Sequence, residues 1–120
     1  MTQPSPEGIF YHNPRCSKSR QALELLKEQN VDPEIILYLD TPPNAKTLKQ
    51  IITQLGISPR ELLRTHEQEY KDLNLQDKSL NDNEIIKAMT ENPRLIERPI
   101  YLNNGKAAIG RPPEKVLEIL

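Results

Sequence analysis

The chain has 120 residues, with 16 lysines and arginines against 17 aspartates and glutamates, for a formal net charge of −1 at pH 7. That length suits one domain around a single core, and the even balance excludes a general electrostatic attraction to nucleic acid or to a membrane surface, so any basic site is local. No apolar run is long enough to span a bilayer, Met1 to Gly8 lacks the charged and apolar regions of a signal peptide, and the single cysteine makes no internal disulfide, which points to a reducing, cytoplasmic setting.

Met1 to Gly8 carries two prolines and no periodic pattern, so it reads as a loose terminus. Ile9-Phe10-Tyr11 is a short strand by its aromatic and β-branched content, broken by the turn chemistry of Asn13-Pro14. Ala22, Leu23, Leu25 and Leu26 then recur at helical spacing, predicting a helix from just after Cys16 to about Asn30. Asp32-Pro33 turns the chain into Glu34 to Leu39, a continuously apolar run after Glu34 that suits a strand buried on both faces. Strand, helix and strand make a βαβ unit with parallel strands.

From Asn44 to Asn92 only helical signals occur. Leu48, Ile51, Ile52 and Leu55 fall at i, i+3, i+4 and i+7 before the stop at Gly56. Ser58-Pro59-Arg60-Glu61 reads as a capping box opening a short helix to about Arg64, and Asn81-Asp82-Asn83-Glu84 caps another that ends before Pro93. Between them, Thr65 to Ser79 is polar and reads as a helical turn plus loop. Strand signals return in Pro99 to Leu102 and Lys106 to Ile109, joined by Asn103-Asn104-Gly105, a strong hairpin signal. Glu114 to Leu120 offers a last helix. The expected fold is α/β: a thioredoxin-like mixed sheet of about four strands, its core over about 8–43 and 94–120, with a helical insertion over about 44–93.

The chemistry concentrates in His12 to Arg20. Cys16 sits where a strand-to-helix loop feeds a helix N-terminus, and there the unpaired backbone N–H groups and the positive end of the helix dipole favour an anion. A thiolate is such an anion, and this geometry depresses a cysteine pKa below its free value of roughly 8.5. Arg15, Lys18 and Arg20 add positive charge, and a cysteine flanked by Arg15, Ser17, Lys18 and Ser19 is out of keeping with an inert buried thiol. The loop therefore suits both a nucleophile and an oxyanion. With one Cys and two His, the chain lacks the donors of a metal centre, and no tightly bound cofactor is expected. No second thiol is present to resolve a Cys16 intermediate, so the resolving thiol comes from outside.

Arg98-Pro99 enters the hairpin and Arg111-Pro112 leaves it. In thioredoxin-like folds a cis-proline loop faces the active cysteine, and by that analogy both arginines lie near the sheet end carrying Cys16. Arg64 closes the capped helix of the insertion. Converging guanidinium groups make a strong pocket for a tetrahedral oxyanion, although single arginines beside turns are usually solvated. His12 suits either thiolate stabilisation and proton relay or a structural hydrogen bond. Ser17 and Ser19 suit helix capping better than donation to the thiolate, and His66 reads as surface.

The segment Tyr11 to Arg20, followed by Ile35 to Pro43, Gly56-Ile57-Ser58, Leu62-Leu63-Arg64, Arg98-Pro99-Ile100 and Gly110-Arg111-Pro112, resembles the glutaredoxin-dependent bacterial arsenate reductases over nearly the whole chain. The resemblance implies that Cys16 is the nucleophile, that Arg64, Arg98 and Arg111 bind arsenate and its reduced product, that His12 acts near the thiolate, and that Ser19 is a hydrogen-bond donor to it. It further implies glutathione as co-substrate and glutaredoxin as partner: the thiolate attacks As(V), glutathione attacks the adduct, arsenite leaves, and glutaredoxin clears the Cys16-glutathione disulfide. Two other readings share the fold. A glutathione-dependent thiol reductase without arsenate activity has no need of three oxyanion clamps. An Spx-like regulator commonly carries a paired-cysteine motif, and here the partner position is Ser19.

Overall fold

The computed structural model describes residues 7–120, so the loose terminus expected at the start falls mostly outside the described residues. These residues form two compact units, one within Met1–Leu37 and Arg98–Leu120 and the other Tyr38–Glu97.

The first unit is built on a sheet. Strands β1 (Ile9–His12), β2 (Glu34–Leu37), β3 (Ile100–Asn103) and β4 (Lys106–Ile109) lie in the order β2-β1-β3-β4. β1 runs parallel to β2 with Phe10 opposite Ile35 and His12 opposite Leu37, and antiparallel to β3 with Phe10 opposite Tyr101. The β3–β4 hairpin turns on Asn104 (φ 55°) and Gly105 (φ 74°), and both positive angles belong to the tight turn that the Asn-Gly pair predicts. Helix α1 (Ser17–Glu28) buries Ala22, Leu23 and Leu26 against Phe10, Tyr101, Val116 and Ile119, which form the core of this unit. It stops in a Schellman motif: Asn30 takes φ 60°, and the Val31 N–H donates to Leu26 O at 2.9 Å. The mixed four-stranded sheet is the thioredoxin-like layout expected, and the elements between Ala45 and Glu91 are all helical, joined by turns and loops.

Two expectations need correction. The run from Glu34 to Leu39 is not a strand buried on both faces: pairing ends at Leu37, and β2 lies at the sheet edge with Ile35 44 % and Leu37 42 % exposed. A continuous apolar run marks strand propensity, but only strand order decides how many neighbours cover it. The last segment, Pro113–Ile119, is a 3-10 helix, entered through Pro112 and Pro113 and packed on α1 and β4 by Val116 and Ile119.

In the second unit, α2 (Ala45–Leu55) buries Leu48, Ile51 and Ile52. It is capped by Asn44 Oδ1 on the Thr47 N–H and closed by Gly56 at φ 70°. The Ser58 box opens a 3-10 turn, Pro59–Leu62; α3 (Gln68–Asp72) is one short turn; α4 (Asp82–Glu91) starts at the Asn81 capping box and packs on α2. An antiparallel bridge between Leu63 and Ile96, with Arg64 N–H on Leu95 O at 2.8 Å and Glu97 N–H on Leu62 O at 2.9 Å, holds the two flanks of this unit together.

Candidate active site

Strand β1 ends at His12, and Asn13-Pro14-Arg15 swings the chain into α1 with Cys16 as its N-cap. The turn is self-bonded: Cys16 N–H donates to Asn13 O and Arg15 N–H to Asn13 Oδ1, each at 3.0 Å. The Arg20 guanidinium ties back to Pro14 O at 2.8 Å, and the Arg20 N–H donates to Cys16 O in the first helical bond. An N-cap side chain faces the orphan N–H groups of the first turn. A thiol accepts such bonds poorly; a thiolate accepts them well.

The ionisation of Cys16 follows from that position. The residue is only 8 % exposed, and burial pushes its pKa up. The Ser19 N–H, the Arg98 charge, the Lys18 N–H and the Arg111 charge all pull it down, and together they outweigh burial, so the thiol lies below its ordinary value. Arg111 Nη2 stands 3.8 Å from Sγ, and its Nε donates to Arg98 O at 2.8 Å, which sets the plane of the guanidinium. Both Arg98-Pro99 and Arg111-Pro112 are cis. The arrangement sets a thiol of lowered pKa beside two arginines, a combination that suits nucleophilic attack on the central atom of an anionic substrate.

His12 reaches this centre through Ser19. Its Nδ1 lies 2.7 Å from Ser19 Oγ, and the same oxygen accepts from Asn13 N–H at 3.0 Å, while the backbone N–H of Ser19 serves the thiolate. Burial, joined by the charges of Lys27 and Arg20, lowers the His12 pKa below its usual value of 6.5 and keeps the ring neutral at pH 7. The expected hydroxyl capping by Ser17 or Ser19 does not occur: Ser17 is exposed, and Ser19, fully buried, spends its hydroxyl on His12 and Asn13. Sequence reasoning also passed over Asn13 and the Lys18 N–H. The Asn-Pro pair signals a turn but not what its amide and carbonyl will close, and a backbone donor carries no side-chain signature.

The structure thus brings Cys16, His12, Ser19, Arg98 and Arg111 together in the first unit. Arg64 belongs to the second unit, where its Nη1 pairs with Glu67 Oε1 at 2.8 Å. His66 is exposed, as expected of a surface residue. Among the described residues no three His, Cys, Asp or Glu side chains gather to hold a metal, and no helix is long and apolar enough to cross a membrane.

Comparison with known proteins places these features in a family. The chain is 60 % identical over 112 residues to the uncharacterized protein YfgD of Escherichia coli (strain K12), covering 92 % of this chain and 94 % of the relative. It is 50 % identical over 113 residues to the arsenate reductase of Haemophilus influenzae, covering 93 % and 97 % respectively. The solved structure of the arsenate reductase from Vibrio cholerae superposes with a TM-score of 0.94 at 49 % identity, covering 98 % of this chain and all 100 % of that one. The family description matches residues 11–119, which takes in the cysteine turn, all three arginines and both flanks of the sheet, and the chain belongs to the ArsC family.

Proposed function

We propose that this protein reduces arsenate to arsenite, with Cys16 as the nucleophile and Arg98, Arg111 and Arg64 as the groups that bind the oxyanion. The observation that carries this reading is the lowered Cys16 thiol at the N-terminus of α1, with Arg111 3.8 Å from its sulfur. Family membership and relatives named arsenate reductase support the choice of substrate.

In this reading the Cys16 thiolate attacks arsenic, a sulfur–arsenic bond forms, and a hydroxyl of arsenate takes a proton from solvent and leaves as water. The thiolate of glutathione then takes the Cys16 sulfur. The S–S bond forms, the S–As bond breaks, and its electron pair stays on arsenic, which departs as arsenite. Two thiols have supplied the two electrons, and Cys16 is left as a mixed disulfide with glutathione. Glutaredoxin attacks the glutathione sulfur and returns the Cys16 thiolate to a site whose N–H groups and arginines stabilise it, which makes Cys16 a good leaving group. The chain's one cysteine is why both thiols are external, and a reducing cytoplasm is the setting that supplies them. Ser19 and His12 hold the turn that presents Sγ.

The test is arsenate-dependent NADPH oxidation coupled through glutathione reductase, with glutathione and glutaredoxin present. Turnover that requires each component and vanishes in Cys16→Ser is the expected result. A folded wild-type protein that is glutathionylated at Cys16 yet turns over no arsenate would replace this reading with a thiol reductase.

A further inference from the structure

Arg64 is gripped from one side. Its Nη1 forms an ion pair with Glu67 Oε1 at 2.8 Å and donates to the carbonyl oxygen of Arg94 at 3.4 Å. The remaining edge of the guanidinium, Nε–H and Nη2–H, has no partner among the described residues. That edge is the parallel fork with which arginine takes two oxygens of a tetrahedral anion. Backbone bonds fix both ends of the grip. Arg64 N–H is held on Leu95 O at 2.8 Å by the bridge between Leu63 and Ile96, and Glu67 N–H turns back onto Arg64 O at 3.4 Å.

Glu67 has the features of a holder. Its side chain is only 14 % exposed, compared with 65 % for Arg94, and its second oxygen lies 3.4 Å from Arg94 Nη2. Arg94 in turn reaches Glu69, at 3.9 Å, so two carboxylates and two guanidinium groups interleave. The Glu67 charge is therefore shared between two cations, which blunts its repulsion of an arriving anion and leaves its positional effect to dominate.

We propose that Glu67 is a positioning residue for the oxyanion site, holding Arg64 by Nη1 so that the Nε–Nη2 edge stays preset for substrate. This rests on the proposed role of Arg64 in binding arsenate. A long arginine side chain released from its holder samples many rotamers, and substrate must then order it, a cost that falls on binding more than on the chemical step.

The experiment measures, for wild type, Glu67→Ala, Glu67→Gln, Arg64→Ala and the Glu67→Ala/Arg64→Ala pair, the arsenate concentration that half-protects Cys16 from iodoacetamide, together with kcat and KM. Glu67→Ala is expected to raise the half-protecting concentration and KM roughly tenfold while leaving kcat and the unprotected alkylation rate near wild type. Glu67→Gln keeps an Oε1 acceptor and recovers most of the loss, and Glu67→Ala adds nothing once Arg64 is gone. Unchanged or tighter binding in Glu67→Ala, with Arg64→Ala impaired, overturns the positioning role; so does an equal loss on the Arg64→Ala background. Wild-type protection in Arg64→Ala, or none in the wild type, overturns the oxyanion reading itself and this inference with it.

Discussion

Cys16 is the proposed nucleophile, and its protonation is decided by groups of opposite effect. Burial favours the neutral thiol, whereas two backbone N–H groups and two arginines favour the thiolate. The sign follows directly: a lowered pKa enlarges the thiolate fraction at neutral pH, and it is the thiolate that reacts. Alkylation of Cys16 by iodoacetamide is expected to titrate with a midpoint below the roughly 8.5 of a free cysteine. In Arg111→Ala that midpoint should move upward, and alkylation at pH 7 should slow several-fold, because a cation 3.8 Å from Sγ has been removed. A midpoint at the free-thiol value in the wild type would show that burial wins. The turn itself was legible in Asn13 to Arg20 because every group that shapes it is local. The Ser19 hydroxyl was not, since its choice of His12 over a helix N–H depends on where β1 ends relative to α1.

At the scale of elements, the junction between β4 and the final 3-10 helix is closely packed at Gly110. Gly110 donates its N–H to Pro99 O at 2.9 Å, and a Cβ there would lie 2.7 Å from Pro99 Cγ and 3.2 Å from both Ala22 and Val116 side chains. Only a residue with no side chain lets β4, α1 and the loop before β3 meet so closely. Gly110→Ala is therefore expected to destabilise the fold by about 1–3 kcal/mol, as overpacking does, read as a lowered urea midpoint with an unchanged slope. A wild-type midpoint would mean that these elements separate freely. Several helix limits were readable from the chain alone, since Gly56, Ser58 and Asn81 act on their own neighbours. The exposure of β2 and the 3-10 geometry at the end were not, because the first is set by strand order and the second by packing on α1 and β4.

For the whole molecule, the count of one cysteine sets the stoichiometry that the proposed reaction requires. Arsenate and glutathione supplied without glutaredoxin should give a burst of about one arsenite per chain, followed by a much slower phase, because no internal thiol clears the Cys16 disulfide. Intact mass at the end of the burst should show a single glutathione on Cys16. Rapid multiple turnover under those conditions would mean that glutaredoxin is not the resolving partner.

The linear chain already specified the turn around Cys16, the helix that follows it, the hairpin and the helical insertion, because capping residues, turn pairs and apolar spacing act over a few positions. What required the folded chain was long-range placement. Arg111 stands 95 residues from Cys16, and no local rule carries it to within 3.8 Å of the sulfur. That approach follows from β3 pairing with β1 and β4 with β3, where pairing between distant segments, and not propensity along any one of them, determines which side chains meet.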